Sequence, residues 1–451
     1  MIAYLYYKLK NNKMTKNERI KQSLKETREK RENQICKSFQ IKIDKSHLSN
    51  SLIEQLEQLF REGKWFYNSI LNSLNNNIKL KDIDASIKIV QVKKGDNFEQ
   101  KQLNILSSQM KQSLHRRIGN SLSALHQLKL KGYKVGTLKY KSEWNFNCIP
   151  LKQFGNTYRI INNKYISIQS IKGNIRVNGL NQISKLCDIA DAKLIKIDDD
   201  YYIRITCYID KNSIAKIEHL AYSVGIDFGI SNPLTLSDGT VIDYETVVSK
   251  RTKRQQKQLK RKIKNSNNYN KIRKNIRKSH NKSNNQKKDI TNKIVHALKY
   301  TFKHVIYQDE NLKFFQKGHG KGIQNTRLGG IITSLNQLDT SIQVSRYFPS
   351  TKLCFCGYKK KDIKLSDRTY VCPECGLVLD RDYKSSISIE DEGLRCNPQI
   401  LTERKDFKPV ENLPSAVNIK DYFISNPNIK VRKIQEAARQ RAERNRKPLP
   451  F

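Results

Sequence analysis

The chain has 451 residues, of which 86 are Lys or Arg and 42 are Asp or Glu, for a formal charge of +44. At about 150 residues per domain, this length suggests roughly three domains. Apolar residues make up 37% and charged residues 28%, which leaves modest cores under long polar surfaces and excludes wholesale disorder. A chain this basic repels itself unless a polyanion neutralises it, and nucleic acid is the usual one. No apolar run approaches the ~20 residues that a bilayer demands. The apolar start, Ile2 to Tyr7, lacks the basic flank and cleavage site of a signal peptide, and Met14 is a second candidate start. Nine cysteines, four of them within Cys354–Cys375, point to an intracellular metal site and away from a disulfide framework.

In chain order, residues 15–35 are charged with little apolar character. Phe39, Ile41 and Ile43 then alternate as one strand. Asn50 or Ser51 is expected to cap a helix with Leu52, Leu56, Leu59, Phe60, Phe66, Ile70 and Leu71 on one face. A second amphipathic helix follows a polar linker, with Leu103, Leu106, Met110, Leu114, Ile118, Leu122 and Leu125 on one side. Lys111, His115, Arg116 and Arg117 lie on the other. Trp65, Phe66 and Tyr67 can stack bases, but their helical spacing favours a core. From about Gly136 to Asp210 the period becomes two, predicting an antiparallel barrel that includes the early strand; Asp198–Asp200 read as a turn.

Val224–Ile230 is a new strand, and Ser237-Asp238-Gly239-Thr240 is a hairpin turn. Residues 250–288 hold 17 Lys or Arg and no acid, at helix-compatible spacing with breaks near Asn265–Asn270 and Asn281–Asn285. A merely solvated helix would mix both signs, so this stretch is expected to meet phosphates through residues such as Lys253, Arg254, Lys260 and Arg261. Past Asp391 the chain is proline-rich and extended, with a single basic helix expected near Val431–Asn445.

Three acids stand out by position. Asp227 lies on the Val224 strand, Glu310 ends the apolar strand Val305-Ile306-Tyr307, and Asp382 leads into a helix-compatible Ser385-Ser386-Ile387. Carboxylates gathered from distant segments are what Mg²⁺ needs for in-line phosphodiester hydrolysis, though isolated acids at strand ends are more often caps or surface groups. The cysteines are more specific. Cys372-Pro-Glu-Cys375-Gly376 has zinc-knuckle spacing, and Cys354-Phe-Cys356-Gly357 is its partner, so four thiolates suit a closed tetrahedral Zn²⁺ site. The first pair is one residue shorter than C-x₂-C, which predicts a strained knuckle. Redox-active thiols are the alternative, but they need only one pair.

Together these residues resemble the TnpB family, transposon-encoded nucleases related to compact type V CRISPR effectors. Gly225-Ile226-Asp227-Phe228-Gly229-Ile230 is similar to its first RuvC motif and Tyr307-Gln308-Asp309-Glu310-Asn311-Leu312 to its second. The stretch from Arg346 to Cys356-Gly357 resembles the entry to its zinc ribbon. Cys372 through Asp380-Arg381-Asp382 resembles the ribbon exit and third RuvC motif. Lys64-Trp65-Phe66-Tyr67-Asn68 extends the likeness upstream, so that it covers roughly Phe39 to Ile389. The resemblance implies an α+β multidomain protein: an RNase H-like RuvC nuclease domain with an inserted zinc ribbon, a wedge β-barrel and a helical recognition lobe. The implied divisions are a basic extension 1–35, a first wedge strand 36–46, a recognition lobe 47–132 and a wedge barrel 133–220. The nuclease domain spans 221–344 with basic helices at 250–300, then comes a ribbon 345–378, the rest of the nuclease domain 379–392 and a tail 393–451.

It further implies Asp227, Glu310 and Asp382 as a catalytic triad on two Mg²⁺ ions and structural Zn²⁺ on Cys354, Cys356, Cys372 and Cys375. Its expected partners are a guide RNA and target DNA, its setting a prokaryotic cytoplasm near the nucleoid, with no membrane and an open oligomeric state. Guide–target pairing would supply the specificity. Lys384 departs from the Asn usual two residues after the last acid. Rival readings are a nuclease-dead RNA-guided repressor, a CRISPR-associated effector and a plain RNA-binding ribbon protein. The last leaves the acids without a purpose.

Overall fold

The computed structural model describes residues 15–95, 97–214, 217–244, 250–314, 316–317, 320, 326–364, 366–407, 423 and 429–434. Residues 1–14, and the part of the expected tail helix beyond 434, lie outside them. The chain forms two units, Met1–Ala215 and Lys216–Phe451. Among the described residues no helix is long and apolar enough to cross a membrane.

The first unit opens with helix α1 (Lys16–Glu32), where no packed element was expected. Thr15 and Glu18 form a capping box at its start, satisfying N–H groups that a helix start leaves orphaned. Near its end Lys30 and Arg31 pair with Asp188 at 2.6 and 3.2 Å. Strand β1 (Gln34–Ile43) begins five residues before Phe39 and lies inside a seven-stranded antiparallel sheet. The other members are β4 (Cys148–Leu151), β5 (Tyr158–Ile161), β6 (Tyr165–Ile168), β7 (Ile175–Asn178), β8 (Asp188–Ile197) and β9 (Asp200–Asp210), in the order β4-β8-β9-β1-β7-β6-β5. Alternate residues Ile203, Ile205 and Cys207 are buried, as the period of two requires. A bulge in β8 between Ile189 and Ala192 bends the sheet. The hydroxyl of Tyr158, on the edge strand β5, then reaches the Ala190 carbonyl of β8 at 3.1 Å. The sheet therefore curls toward the barrel that the sequence predicts, and Asp198, at φ 56°, turns β8 into β9.

Helices α2 (Asn50–Asn75) and α3 (Ser108–Leu130) pack with this sheet in one apolar core. The cap of α2 is Ser49, not Asn50 or Ser51; its hydroxyl accepts from Leu52 N at 3.2 Å. Helix α3 starts after Leu103 and Leu106, because the buried Glu62 carboxylate accepts from the backbone N–H groups of Ile105 and Leu106 at 2.9 Å each. Lys111, expected on the basic face, is buried and donates to Ile87 O at 2.8 Å. The polar linker holds a hairpin, β2 (Ile89–Lys94) and β3 (Asn97–Gln102). Phe66 and Tyr67 are core, whereas Trp65 is half-buried and lines a cavity of about 810 Å³.

In the second unit, β10 (Ala221–Phe228), β11 (Leu234–Leu236) and β12 (Thr240–Tyr244) form an antiparallel meander. On the other side of β10, β13 (Phe302–Gln308) and β14 (Ser341–Val344) run parallel to it. A separate hairpin consists of β15 (Thr369–Val371) and β16 (Val378–Asp380). Strand β17 (Ile429–Lys433) closes the far edge against β12, so Val431–Lys433 are strand where a helix was expected. Backbone pairing with an exposed edge overrides their local helix preference.

Helices α4 (Lys250–Lys260) and α5 (Asn267–Thr301) follow the meander, and α6 (Leu328–Leu335) precedes β14. The break expected near Asn265 is present, with Asn265 at φ 68°. The one expected at Asn281–Asn285 is absent. Buried Ile290, Ile294 and Leu298 anchor α5 on the sheet, and a helix held by packing carries weak formers with it. Helix α7 (Arg381–Arg395) runs past the expected boundary at 392, and α8 (Pro398–Asp406) follows. Ile389 and Leu394 of α7 pack with Ile306 and Val344 of the sheet.

The approach of α7 to β10 depends on Gly225. A Cβ there would overlap the Ser386 carbonyl oxygen and lie 2.8 Å from Glu390 Cβ. Gly225→Ala should therefore destabilise the second unit by roughly 1–3 kcal/mol or more, the range for forcing extra atoms into a packed core. Gly136→Ala, with open space around it, should leave the thermal midpoint unchanged. Differential scanning calorimetry of both variants checks this.

Candidate active site and metal centre

Asp227 lies near the carboxyl end of β10, opposite Thr235 of β11, and Ile226 pairs in parallel with Tyr307 of β13. Glu310 follows β13 by two residues, so both acids leave neighbouring parallel strands at the same end. That is where open sheets with a change of strand direction usually build their sites. Asp382 sits in the first turn of α7, whose N-cap, Asp380, accepts from Tyr383 N at 2.9 Å. The helix that needs Gly225 thus carries Asp382 toward Asp227.

The electrostatics show the convergence. Burial holds Asp227 well above the usual carboxylate range, and the negative charges of Asp382 and Glu310 raise it further, against the opposing pull of Arg381. Burial, then Asp309, push Glu310 up to about 7, with Arg346 opposing. Asp309 is held by Arg346, whose Nε donates at 2.8 Å and whose Nη2 donates to the same oxygen. Asp382 is met by Arg381 at 3.0 Å and by Arg368 at 3.6 Å. Arg368 also reaches Ser231 Oγ at 3.3 Å. Like charges gathered this way favour a proton or a cation among them. The three carboxylates do not form as tight a donor group as the cysteines do.

The four cysteine sulfurs lie within 4.8 Å of one another, with Cys354–Cys375 at 3.6 Å and Cys356–Cys372 at 3.7 Å. The short first pair closes in a correspondingly shorter turn. Cys354 N donates to Tyr358 O and Gly357 N to Cys354 O, while Cys372 N donates to Leu377 O and Gly376 N to Cys372 O. Each loop of the first knuckle is one residue shorter, and Gly357 and Gly376 supply the left-handed backbone at φ 90° and 70°. Burial pushes Cys354 up to about 12 despite the Cys356 N–H beside it. Burial also opposes ionisation of Cys372, but the N–H groups of Cys375 and Glu374 outweigh it and bring that thiol down to about 7. Four convergent sulfurs, one already acidified, suit a tetrahedral soft ion such as Zn²⁺.

Lys253, Arg254 and Lys260 are exposed on α4, and Arg261 is exposed in the turn after it. Sequence reasoning gave no role to Arg368 and Arg381 beside Asp382, nor to a buried polar set of Gln308, Ser350 and Lys384, the last noted only as a departure from the motif. For Arg381, Gln308 and Lys384 the available signal was a position within two residues of a motif acid, and Arg368 and Ser350 carried none. Burial pulls Lys384 down to about 8 against the negative charge of Cys354, Asp227 and Cys372.

Comparison with known proteins matches residues 210–313 to the family described as "Probable transposase". Residues 339–389 match the "Cas12f1-like, TNB domain", a stretch that contains all four cysteines and Asp382. The two matched stretches are in keeping with the TnpB resemblance of the motifs they contain. The chain is 25% identical over 214 residues to the "Putative RNA-guided DNA endonuclease InsQ" of Escherichia coli strain K12. The match covers 41% of the chain and about half, 53%, of that relative. A cryo-EM structure of a Cas12f1–sgRNA–target DNA complex aligns over 79% of this chain and 99% of its own, at 13% identity and a TM-score of 0.49.

The knuckle geometry gives a direct test. Gly357→Ala forces a side chain into the left-handed region, at about 1–2 kcal/mol. It should speed chelator-driven zinc release roughly tenfold, while wild-type protein holds one zinc per chain by elemental analysis. Freshly purified protein without zinc would contradict the site.

Proposed function

We propose that the chain is an RNA-guided DNA endonuclease in which Asp227, Glu310 and Asp382 hold Mg²⁺ for phosphodiester hydrolysis. The observation that carries this reading is the meeting of three acids from distant segments at the carboxyl ends of β10 and β13 and the first turn of α7. The mixed sheet that presents them supports an RNase H-like, RuvC-type domain interrupted by a zinc ribbon. The donor set fits the metal: hard carboxylate oxygens, and like charges whose mutual cost a divalent cation relieves. Bound there, Mg²⁺ would supply Lewis acidity for the attacking water and the leaving oxygen.

The chain's own residues do the rest. Asp227 presents its oxygens from β10 and Glu310 from two residues past the end of β13, so their placement follows the sheet. Arg381 and Arg368 hold Asp382 toward the same space and offer guanidinium donors to a substrate phosphate. Lys253, Arg254, Lys260 and Arg261 meet backbone phosphates without reading bases. In the first unit, the curled sheet and helices α2 and α3 would serve as the wedge barrel and recognition lobe that hold guide RNA. The relationship to InsQ supports RNA guidance and DNA as substrate. All three acids are present, which favours the enzyme over a nuclease-dead binder.

Asp227→Ala should lower cleavage of guide-matched DNA at least about a hundredfold, the scale of removing one preorganised charge partner, and leave guided binding within about twofold on a gel-shift assay. Cleavage at the wild-type rate would contradict the role given to Asp227. Replacing Lys253, Arg254, Lys260 and Arg261 together by Gln should flatten the log–log salt dependence of DNA binding by roughly 0.9 per lost phosphate contact. An unchanged slope would place these residues away from the nucleic acid.

A further inference from the structure

Lys384 is fully buried in the first turn of α7, two residues after Asp382. An ammonium group is costly to desolvate unless its donors are satisfied and negative charge surrounds it. Its Nζ donates to Ser350 O at 2.7 Å and to Thr351 O at 3.3 Å, and lies 4.5 Å from the ring centroid of Tyr370. Tyr370 is itself buried on β15, two residues before Cys372. Ser350 continues the connection, because its hydroxyl donates to Gln308 Oε1 at 2.9 Å. Gln308 ends β13 two residues before Glu310, and its Nε2 donates to the carbonyls of Ser345 and Phe348 at 3.0 and 2.6 Å. Ser385 Oγ adds a bond to Thr351 Oγ1 at 3.3 Å.

The polar line therefore runs from β13, through the segment entering the ribbon, to α7 and the aromatic floor of the cysteine centre. Apart from the half-buried Thr351 hydroxyl, every link is a buried side chain or a backbone carbonyl, so each has one good arrangement and little freedom to leave it. Four thiolates around a divalent ion would carry a net charge of −2, and Lys384 would offset part of it from over the Tyr370 ring. Lysine has the reach for this: an Asn in its place is too short to meet the Ser350 carbonyl and lie over Tyr370 together.

We propose that Lys384 is a positioning residue that joins the cysteine centre to the carboxylate site, fixing Asp382 relative to Glu310 through Ser350 and Gln308. This rests on the metal-dependent reading above. The test uses full-length protein with its copurified RNA and two variants. Lys384→Met removes every donor at similar length. Ser350→Ala cuts only the hydroxyl link to Gln308 and keeps the carbonyl that Lys384 uses. Zinc release to a chelator is followed with a chromogenic indicator, the Mg²⁺ midpoint is read from cleavage separately from the maximal rate, and DNA binding is measured without divalent metal.

Lys384→Met should speed zinc release and raise the Mg²⁺ midpoint, each roughly three- to tenfold, the range of one or two lost hydrogen bonds. Ser350→Ala should raise the Mg²⁺ midpoint by a similar factor and leave zinc release unchanged. DNA binding should stay within about twofold in both. A purely structural lysine would lower the melting temperature while both metal readouts stay at wild-type values, and that result overturns the proposal. If Lys384→Met does not fold, Ser350→Ala decides: a wild-type Mg²⁺ midpoint, or zinc release that moves with it, overturns the coupling. Wild-type protein that lacks zinc or magnesium-dependent cleavage refutes the functional reading itself and removes this inference with it.

Discussion

Gathering acidic groups in one place is unfavourable once they ionise, and the second unit does so twice. Asp227, Glu310 and Asp382 converge at one end of the sheet, and four cysteine sulfurs converge a short distance along the chain from Asp382. The upward shift of Asp227, from burial first and from its two acidic neighbours next, is the signature of that cost. Arg346, Arg368, Arg381 and Lys384 offset part of it. Each of these cations has a defined partner, and the remaining deficit of positive charge is what a divalent ion would supply under the proposed function.

The same tension explains why the scaffold is rigid where it is. Two acids leave parallel strands whose register is fixed by the ladder between β10 and β13. The third comes on a helix whose backbone touches β10 at the one residue without a Cβ. The cysteine segment lies between the second and third acids in the chain, so any looseness in it would pass directly to Asp382. The hydrogen bonds through Gln308, Ser350 and Lys384 close that gap.

Local signals were legible in the sequence. Apolar runs marked β10 and β13, the apolar stripe marked α2, and cysteine spacing marked the four-sulfur cluster, because each is encoded within a few turns or strands. Long-range choices were not. The Glu62 carboxylate delays the start of α3 by binding backbone 43 and 44 residues away. Buried anchors carry α5 through its asparagines, and an open sheet edge turns Val431–Lys433 into strand. Lys384 read as a departure from a motif, and only its partners at Ser350, Thr351 and Tyr370 give it a role. The short Cys354/Cys356 pair was read as strained because spacing counts residues. The structure shows the compensating turn at Gly357.

Guidance by RNA and hydrolysis by the carboxylate site meet in one measurement: cleavage of defined duplexes by the purified protein with its sequenced, copurified RNA, in Mg²⁺ and in EDTA. The account predicts cutting of the duplex that matches the RNA, in Mg²⁺ alone, with a scrambled duplex left intact. Cleavage that ignores the match or survives EDTA, or a matched duplex that remains whole in Mg²⁺, would contradict it.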